Sequence, residues 1–170
     1  GGVESMTRGP WVMGKPANAY QRGDVQMYDS SLGWRFPNKR MAELYSLINN
    51  GETAENVADK YQVSREDQDK LALASHQKAL KAHKDGRLKD EIIPFEMAQR
   101  KGAPLVYDKD EGPRADTSME ILAGLQPAFK KGGSVTAGNS SPLSDGAAAL
   151  LITTPQRAEQ LKLKPLAKIV

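Results

Sequence analysis

The sequence predicts an α/β fold, or α+β for these 170 residues taken alone, with a mostly helical insertion set on a strand-helix-strand unit. Three observations carry this. Ala147 to Ile152 is a continuous apolar run, the pattern of a strand covered on both faces. Behind it, Thr154-Pro155 supplies a helix cap and a first-turn proline for a helix ending near Lys162. A second apolar run (Leu166, Ala167, Ile169, Val170) reads as the next strand, and strand, helix, strand at this spacing implies a crossover connection. The expected division is an inserted loop region over residues 1–134, with residues 135–170 as the end of one sheet domain and the start of its next strand.

The elements follow in chain order. Residues 1–40 carry nine glycines and prolines and scattered aromatic residues (Trp11, Tyr20, Tyr28, Trp34, Phe36) with no sustained period, which marks a binding loop or packing arm. Met41, Leu44, Tyr45 and Ile48 recur at helical intervals, predicting a helix over 39–48 that Asn49-Asn50-Gly51 ends, with Gly51 as a left-handed cap. Thr53 is expected to cap a short helix to about Tyr61, with Ala54, Val57 and Ala58 on its apolar face. Ser64-Arg-Glu-Asp67 resembles a capping box with Asp in place of Glu, opening a long helix that runs to about Lys84 and stops at Asp85-Gly86. Leu71, Ala72, Ala74, Ala79, Leu80 and Ala82 give this helix an alanine-rich apolar side. Glu91 to Phe95 reads as a strand edged by Pro94, Leu105 to Tyr107 as a short strand, and Met119 to Leu125 as a brief helix before the break at Gly132-Gly133.

Composition removes several function classes. The net charge of +3 comes from 24 basic and 21 acidic residues that are well mixed, so no basic face points to nucleic acid. There are no cysteines, which excludes a disulfide framework, a thiolate zinc site and a cysteine nucleophile within these residues. Mean hydropathy is −0.57 and no apolar run approaches the roughly 20 residues of a membrane-spanning helix. The start, Gly-Gly-Val-Glu-Ser-Met, has neither the basic nor the apolar region of a signal peptide. Gly1 reads as a cut end and Val170 closes a strand just begun, so the chain is expected to be a piece of something longer.

Few side chains suggest chemistry. His76 and His83 lie seven residues apart on the long helix, about 10 Å along its axis, too far for one metal ion, and read as solvated or partly packed. Asp108, Asp110 and Glu111 lack the spacing of a calcium loop, and no metal site is expected. The segment 135–152 stands apart, with Asp145 as its single charge. Thr136, Asn139, Ser140, Ser141 and Ser144 offer hydroxyl and amide groups, while Ala137 and Gly138 leave the backbone open to approach. Two readings stand: a grip for a flat amide-bearing ligand, or a loop that satisfies its own backbone before a strand, which composition alone favours.

The residues of that segment resemble those of a known family. Val135-Thr-Ala-Gly-Asn-Ser-Ser141 followed by Ser144-Asp-Gly-Ala-Ala-Ala149 looks like the segment that ends the inserted loop domain of thiolases. Gly1-Gly-Val-Glu-Ser-Met6, Thr53-Ala-Glu-Asn56, Ser64-Arg-Glu-Asp-Gln68, Asp85-Gly86, Asp90-Glu-Ile92, Leu125-Gln-Pro-Ala-Phe129 and Lys164-Pro-Leu166 fall in thiolase order, so the resemblance covers essentially the whole chain. It implies part of a coenzyme A-dependent acyltransferase that cleaves or forms 3-ketoacyl-CoA, with acyl-CoA as substrate and no tightly bound cofactor. The family's cysteine nucleophile precedes the Gly-Gly-x-Glu-Ser-Met segment, and its second cysteine and histidine follow the strand begun at Leu166, so no catalytic residue is expected here.

What the resemblance leaves in this chain is ligand holding. Arg114 matches an arginine beside the adenine end of coenzyme A, and the Ala137 and Gly138 backbone with the Ser141 hydroxyl matches the lining of the pantetheine arm. It also implies homo-oligomers, with the arm and the insertion packing on a sister subunit, and a cytoplasmic location, or an organellar matrix in a eukaryote. Asn49-Asn50-Gly51 stands where acetoacetyl-specific members carry His-Met-Gly, and the Asn-Ser-Ser-Pro-Leu-Ser-Asp wording is more like degradative members acting on longer chains, leaving acyl length open. The alternative is a non-catalytic coenzyme A-binding or oligomerisation module.

Overall fold

The computed structural model describes residues 1–169 and shows a mixture of helices and small antiparallel sheets. Two compact units divide the chain: Gly1–Leu32 with the segment from Leu143 onward, and Gly33–Pro142 between them in sequence.

The first unit is built from both ends of the chain. Strand β1 (Gly2–Glu4) pairs antiparallel with β6 (Gly146–Ala148), setting Val3 opposite Ala147. A 3-10 turn at Met6–Arg8 follows β1. Asp145 secures this junction, accepting the Thr7 backbone N–H and hydroxyl, both at 2.9 Å, and the Ser5 hydroxyl at 3.4 Å. Strands β2 (Trp11–Met13) and β3 (Met27–Asp29) form a second ladder, so part of the irregular arm is a hairpin with a long loop. Helix α5 (Pro155–Gln160) starts as expected, Thr154 accepting the Arg157 N–H and Pro155 standing in the first turn, and buries Ala158.

The expected strand-helix-strand crossover is not present among the described residues. The apolar run yields only the three-residue β6, and Leu150, Leu151 and Ile152 are 82%, 79% and 72% exposed. A strand in a parallel sheet covered on both faces needs parallel neighbours and helices over them, and among the described residues β6 has only antiparallel β1 beside it. The run from Leu166 forms no strand through Ile169, and Val170 lies outside the described residues.

The second unit holds the best-buried core. Helix α1 (Lys39–Leu44) stops before Ile48, and Asn49-Asn50-Gly51, expected to end it, instead opens the next helix. Helix α2 (Asn50–Tyr61) has Asn49 as its cap, whose N–H donates to the Glu52 carboxylate at 3.0 Å, and closes at left-handed Gln62. Gly51 is not a left-handed cap; a Cβ there would collide with the Phe129 ring, so close approach is what requires glycine. Helix α3 (Arg65–Lys84) forms where expected, with the Ser64 hydroxyl oxygen accepting the Asp67 N–H, and ends at Gly86, whose φ is +71°. Leu71 of the expected apolar side is exposed. The Glu91–Phe95 strand shifts to β4 (Phe95–Met97) beyond Pro94, paired with β5 (Leu105–Tyr107). Helix α4 (Met119–Ala123) packs on α3 and buries Leu122.

Candidate functional site

The segment 133–141 lies against the inner faces of α2 and α3. Two buried carboxylates hold it. Glu55 of α2, only 2% exposed, accepts both the Ser134 and Val135 backbone N–H groups at 2.8–2.9 Å and the Ser134 hydroxyl at 3.1 Å. Burial alone would raise the Glu55 pKa. The hydrogen bonds from Ser134 and Val135, with the nearby Lys130 charge, outweigh it and hold the carboxyl below its ordinary value. Gly133 is required by this approach, because a Cβ there would run into the Glu55 carboxylate. The predicted apolar face of this helix is therefore corrected: Glu55 and Ala58 point inward, while Ala54 is exposed and Val57 is about half exposed.

Asp69 of α3, 1% exposed, is the second carboxylate. One oxygen accepts the Asn139 side-chain amide at 3.0 Å, and the other accepts Arg65 Nε at 2.8 Å. Arg65 also donates to the carbonyls of Leu122 at 2.6 Å and Leu125 at 3.0 Å, satisfying acceptors at the end of α4. Among the described residues no buried side-chain polar atom lacks a partner.

Asn139 then organises the turn. Its Oδ1 accepts the Thr136 N–H at 2.8 Å while its amide also reaches the Ser134 carbonyl at 3.0 Å. The Thr136 hydroxyl accepts the Gly138 N–H, and Ser140 Oγ donates to the Thr136 carbonyl at 2.6 Å. A Cβ on Gly138 would lie 2.5 and 2.6 Å from the Leu125 and Leu122 side chains. The self-satisfying reading thus holds for Thr136, Asn139 and Ser140, whose polar groups are consumed within the protein. Ala137 and Ser141 remain exposed, the Ala137 N–H facing Gln126 across the bridge between Pro127 and Thr136, and no hydrogen bond among the described residues engages the Ser141 hydroxyl. Ser144 is exposed as well.

Arg114 stands on a separate loop. Its guanidinium grips Asp116 by two hydrogen bonds, 3.2 Å from Nε and 2.9 Å from the terminal nitrogen, with both side chains about two-thirds exposed. That contact raises the Arg114 pKa and lowers that of Asp116. Its backbone is tied to α3, the Arg114 N–H donating to His76 Nδ1 at 3.1 Å. His83, one further step along the same helix face, accepts the Asp110 N–H at 3.2 Å. Both histidines are half-buried, in keeping with the partly packed reading.

Sequence reasoning missed Glu55, Asp69, Arg65 and His76 as supports of the loops it singled out. The available signal was periodicity: Arg65, Asp69, Ala72, His76, Leu80 and His83 recur every three or four residues and form one half-buried-to-buried stripe of α3. Among the described residues no group of three or more His, Asp or Glu is arranged to hold a metal ion, and no helix is long and apolar enough to cross a membrane.

The comparisons with known proteins agree with one another. The family model for the thiolase N-terminal domain matches residues 1–156. A beta-ketoadipyl-CoA thiolase of Acinetobacter baylyi is 46% identical over 170 residues, all of this chain and 42% of that protein. An acetyl-CoA acetyltransferase of Chromobacterium violaceum is 46% identical over 169 residues, again 42% of its length. The chain thus spans well under half of the relatives it matches. The crystal structure of the Bacillus anthracis acetyl-CoA acetyltransferase aligns with a TM-score of 0.71 at 40% identity, covering 98% of this chain and 40% of that one. Human mitochondrial 3-ketoacyl-CoA thiolase aligns with a TM-score of 0.76 at 33% identity, covering 97% and 40%. A family match over residues 1–156 and structural likeness over nearly the whole chain have one meaning: this chain belongs to the thiolase family.

Proposed function

We propose that this chain is the ligand-holding segment of a coenzyme A-dependent acyltransferase that cleaves or forms 3-ketoacyl-CoA. The observation that carries the reading is the division of labour in the 134–141 segment. Thr136, Asn139 and Ser140 are committed inward, and the outward edge offers the backbone carbonyls of Ala137 and Gly138 and the Ser141 hydroxyl. A narrow arm bearing amides is the ligand such an edge fits: main-chain groups meet its amides, and small side chains admit it closely. Arg114, exposed on its loop, is the residue proposed to lie beside the nucleotide end.

The nucleophile that the thiolase resemblance implies is a cysteine thiolate, and these residues contain no cysteine. This segment therefore contributes binding and orientation, which lower the barrier by holding a substrate still rather than by bond-making. Acyl-CoA is the substrate, without a tightly bound cofactor. Packing against a sister subunit goes with the exposed apolar side chains of the first unit, Leu150 to Ile152 and Trp11 among them. A cytoplasmic location, or an organellar matrix in a eukaryote, accompanies this reading.

Calorimetric titration of the chain with coenzyme A, with dephospho-coenzyme A as comparison, tests it. Saturable binding is the expected result, together with no turnover of 3-ketoacyl-CoA by the same material. No binding at millimolar ligand would remove the assignment, and thiolysis by a chain without cysteine would overturn the mechanism.

A further inference from the structure

Helix α3 holds both loops that the proposed site needs, at two points of one face. Asp69 accepts the side-chain amide of Asn139, which in turn fixes the Thr136 N–H and so the turn carrying Ala137 and Gly138. His76 accepts the backbone N–H of Arg114. The two anchors are seven residues apart, two helical turns, so they lie about 10 Å apart along the helix axis and on the same side.

We infer that α3 acts as a ruler for the ligand, with Asp69 and His76 as positioning residues that set the distance between the loop for the amide-bearing arm and the loop for the nucleotide end. Neither residue is among those proposed to touch the ligand; each acts through the loop it anchors. The inference rests on the coenzyme A reading above and deepens it, since a rigid spacing selects a two-ended ligand of matching length.

The chemistry of the anchors supports the assignment. Both are acceptors turned toward loop donors, so each fixes a loop without adding a group to its outer edge. Asp69 is itself immobilised by Arg65, which is tied to the Leu122 and Leu125 carbonyls. Rigidity at that end is therefore shared with α4. At the other end, His83 accepting the Asp110 N–H repeats the arrangement a further seven residues along, so the 110–114 strap is held at two points. A loop pinned in advance loses less conformational freedom when ligand binds.

The test combines coenzyme A affinity with residue-resolved amide hydrogen exchange on the 170-residue chain. His76→Leu should weaken coenzyme A about fivefold, the fold-change of one lost hydrogen bond, and speed exchange at Arg114 while leaving Thr136 unchanged. His76→Gln, whose side-chain oxygen can accept the same N–H, should restore both. Asp69→Asn should weaken coenzyme A and speed exchange at Thr136 while leaving Arg114 unchanged. If it fails to fold, Asn139→Ala breaks the contact from the loop side together with those to Thr136 and Ser134, and coenzyme A affinity is then the readout. A merely structural role would instead raise exchange throughout α3 and α4, and that result would overturn the proposal. So would coenzyme A affinity unchanged in all variants while the unaltered chain binds. An unaltered chain that does not bind coenzyme A would overturn the functional reading and this one with it.

Discussion

The Glu55 carboxylate accepts the backbone N–H of Val135 at 2.8 Å, a contact between residues eighty positions apart. With the Ser134 N–H and hydroxyl it leaves the carboxylate no room to be replaced by an amide. A glutamine at this position would turn an NH2 toward N–H donors. Glu55→Gln should therefore destabilise the second unit by about 1–3 kcal/mol, measured by urea denaturation.

The same residue imposes a pH dependence. Its carboxyl sits below the ordinary value in the folded chain, so the unfolded chain takes up the proton more readily. The stabilisation is complete above the ordinary glutamate pKa of about 4.3 and falls away as pH drops through the depressed folded value. Denaturant midpoints should decline with acid more steeply for the unaltered chain than for Glu55→Gln. Parallel declines would show that other carboxylates govern acid unfolding.

Gly51 sets helix propensity against packing. Alanine in its place would improve α2 by up to about 1 kcal/mol, but its Cβ would collide with the Phe129 ring. Overpacking typically costs about 1–3 kcal/mol, so packing wins and Gly51→Ala should lower stability. A rise in melting temperature would mean that the half-exposed ring swings aside.

Ser140 and Ser141 are neighbours with opposite expected phenotypes. Ser140 Oγ donates to the Thr136 carbonyl, so Ser140→Ala should cost about 1 kcal/mol of stability. The Ser141 hydroxyl has no such contact, so Ser141→Ala should leave the melting temperature unchanged and weaken coenzyme A by about 1 kcal/mol. Equal coenzyme A affinity for the Ser141 variant would remove it from the proposed site.

Asp116 occupies the Arg114 guanidinium. Because the pair is exposed, Asp116→Asn should barely change stability. It frees the guanidinium, so coenzyme A affinity should rise and become more sensitive to salt, read by titration at two ionic strengths. An unchanged affinity would show that Arg114 does not meet the ligand.

Local signals in the sequence carried local structure. Ser64 with Asp67 located the start of α3, and Thr154-Pro155 the start of α5, because caps are decided by neighbouring side chains alone. The family resemblance was legible from short motifs spread along the chain, and the comparisons agree with it. The apolar run 147–152 was misread because a buried strand is defined by neighbours, and β6 has one. Glu55 and Asp69 were missed because carboxylates are assigned to solvent unless a partner is known; the Glu55 partner Val135 lies eighty residues away, and while Arg65 is a local partner of Asp69, the loop residue that Asp69 holds, Asn139, lies seventy away. Gly51 shows the same limit, since what demands it is Phe129 rather than a turn.

The Asp145 clasp and the β1–β6 ladder have a kinetic consequence. The partners of Ser5 and Thr7 lie 140 and 138 residues further on, so the first unit has a very high contact order. During synthesis at about 5–20 residues per second, β1 waits on the order of ten seconds for β6 to be made. The second unit, encoded wholly between them, is complete before that partner exists. For that interval β1 lacks its β6 partner, and a strand of three residues ending in a charged Glu4 is a poor template for pairing with another chain.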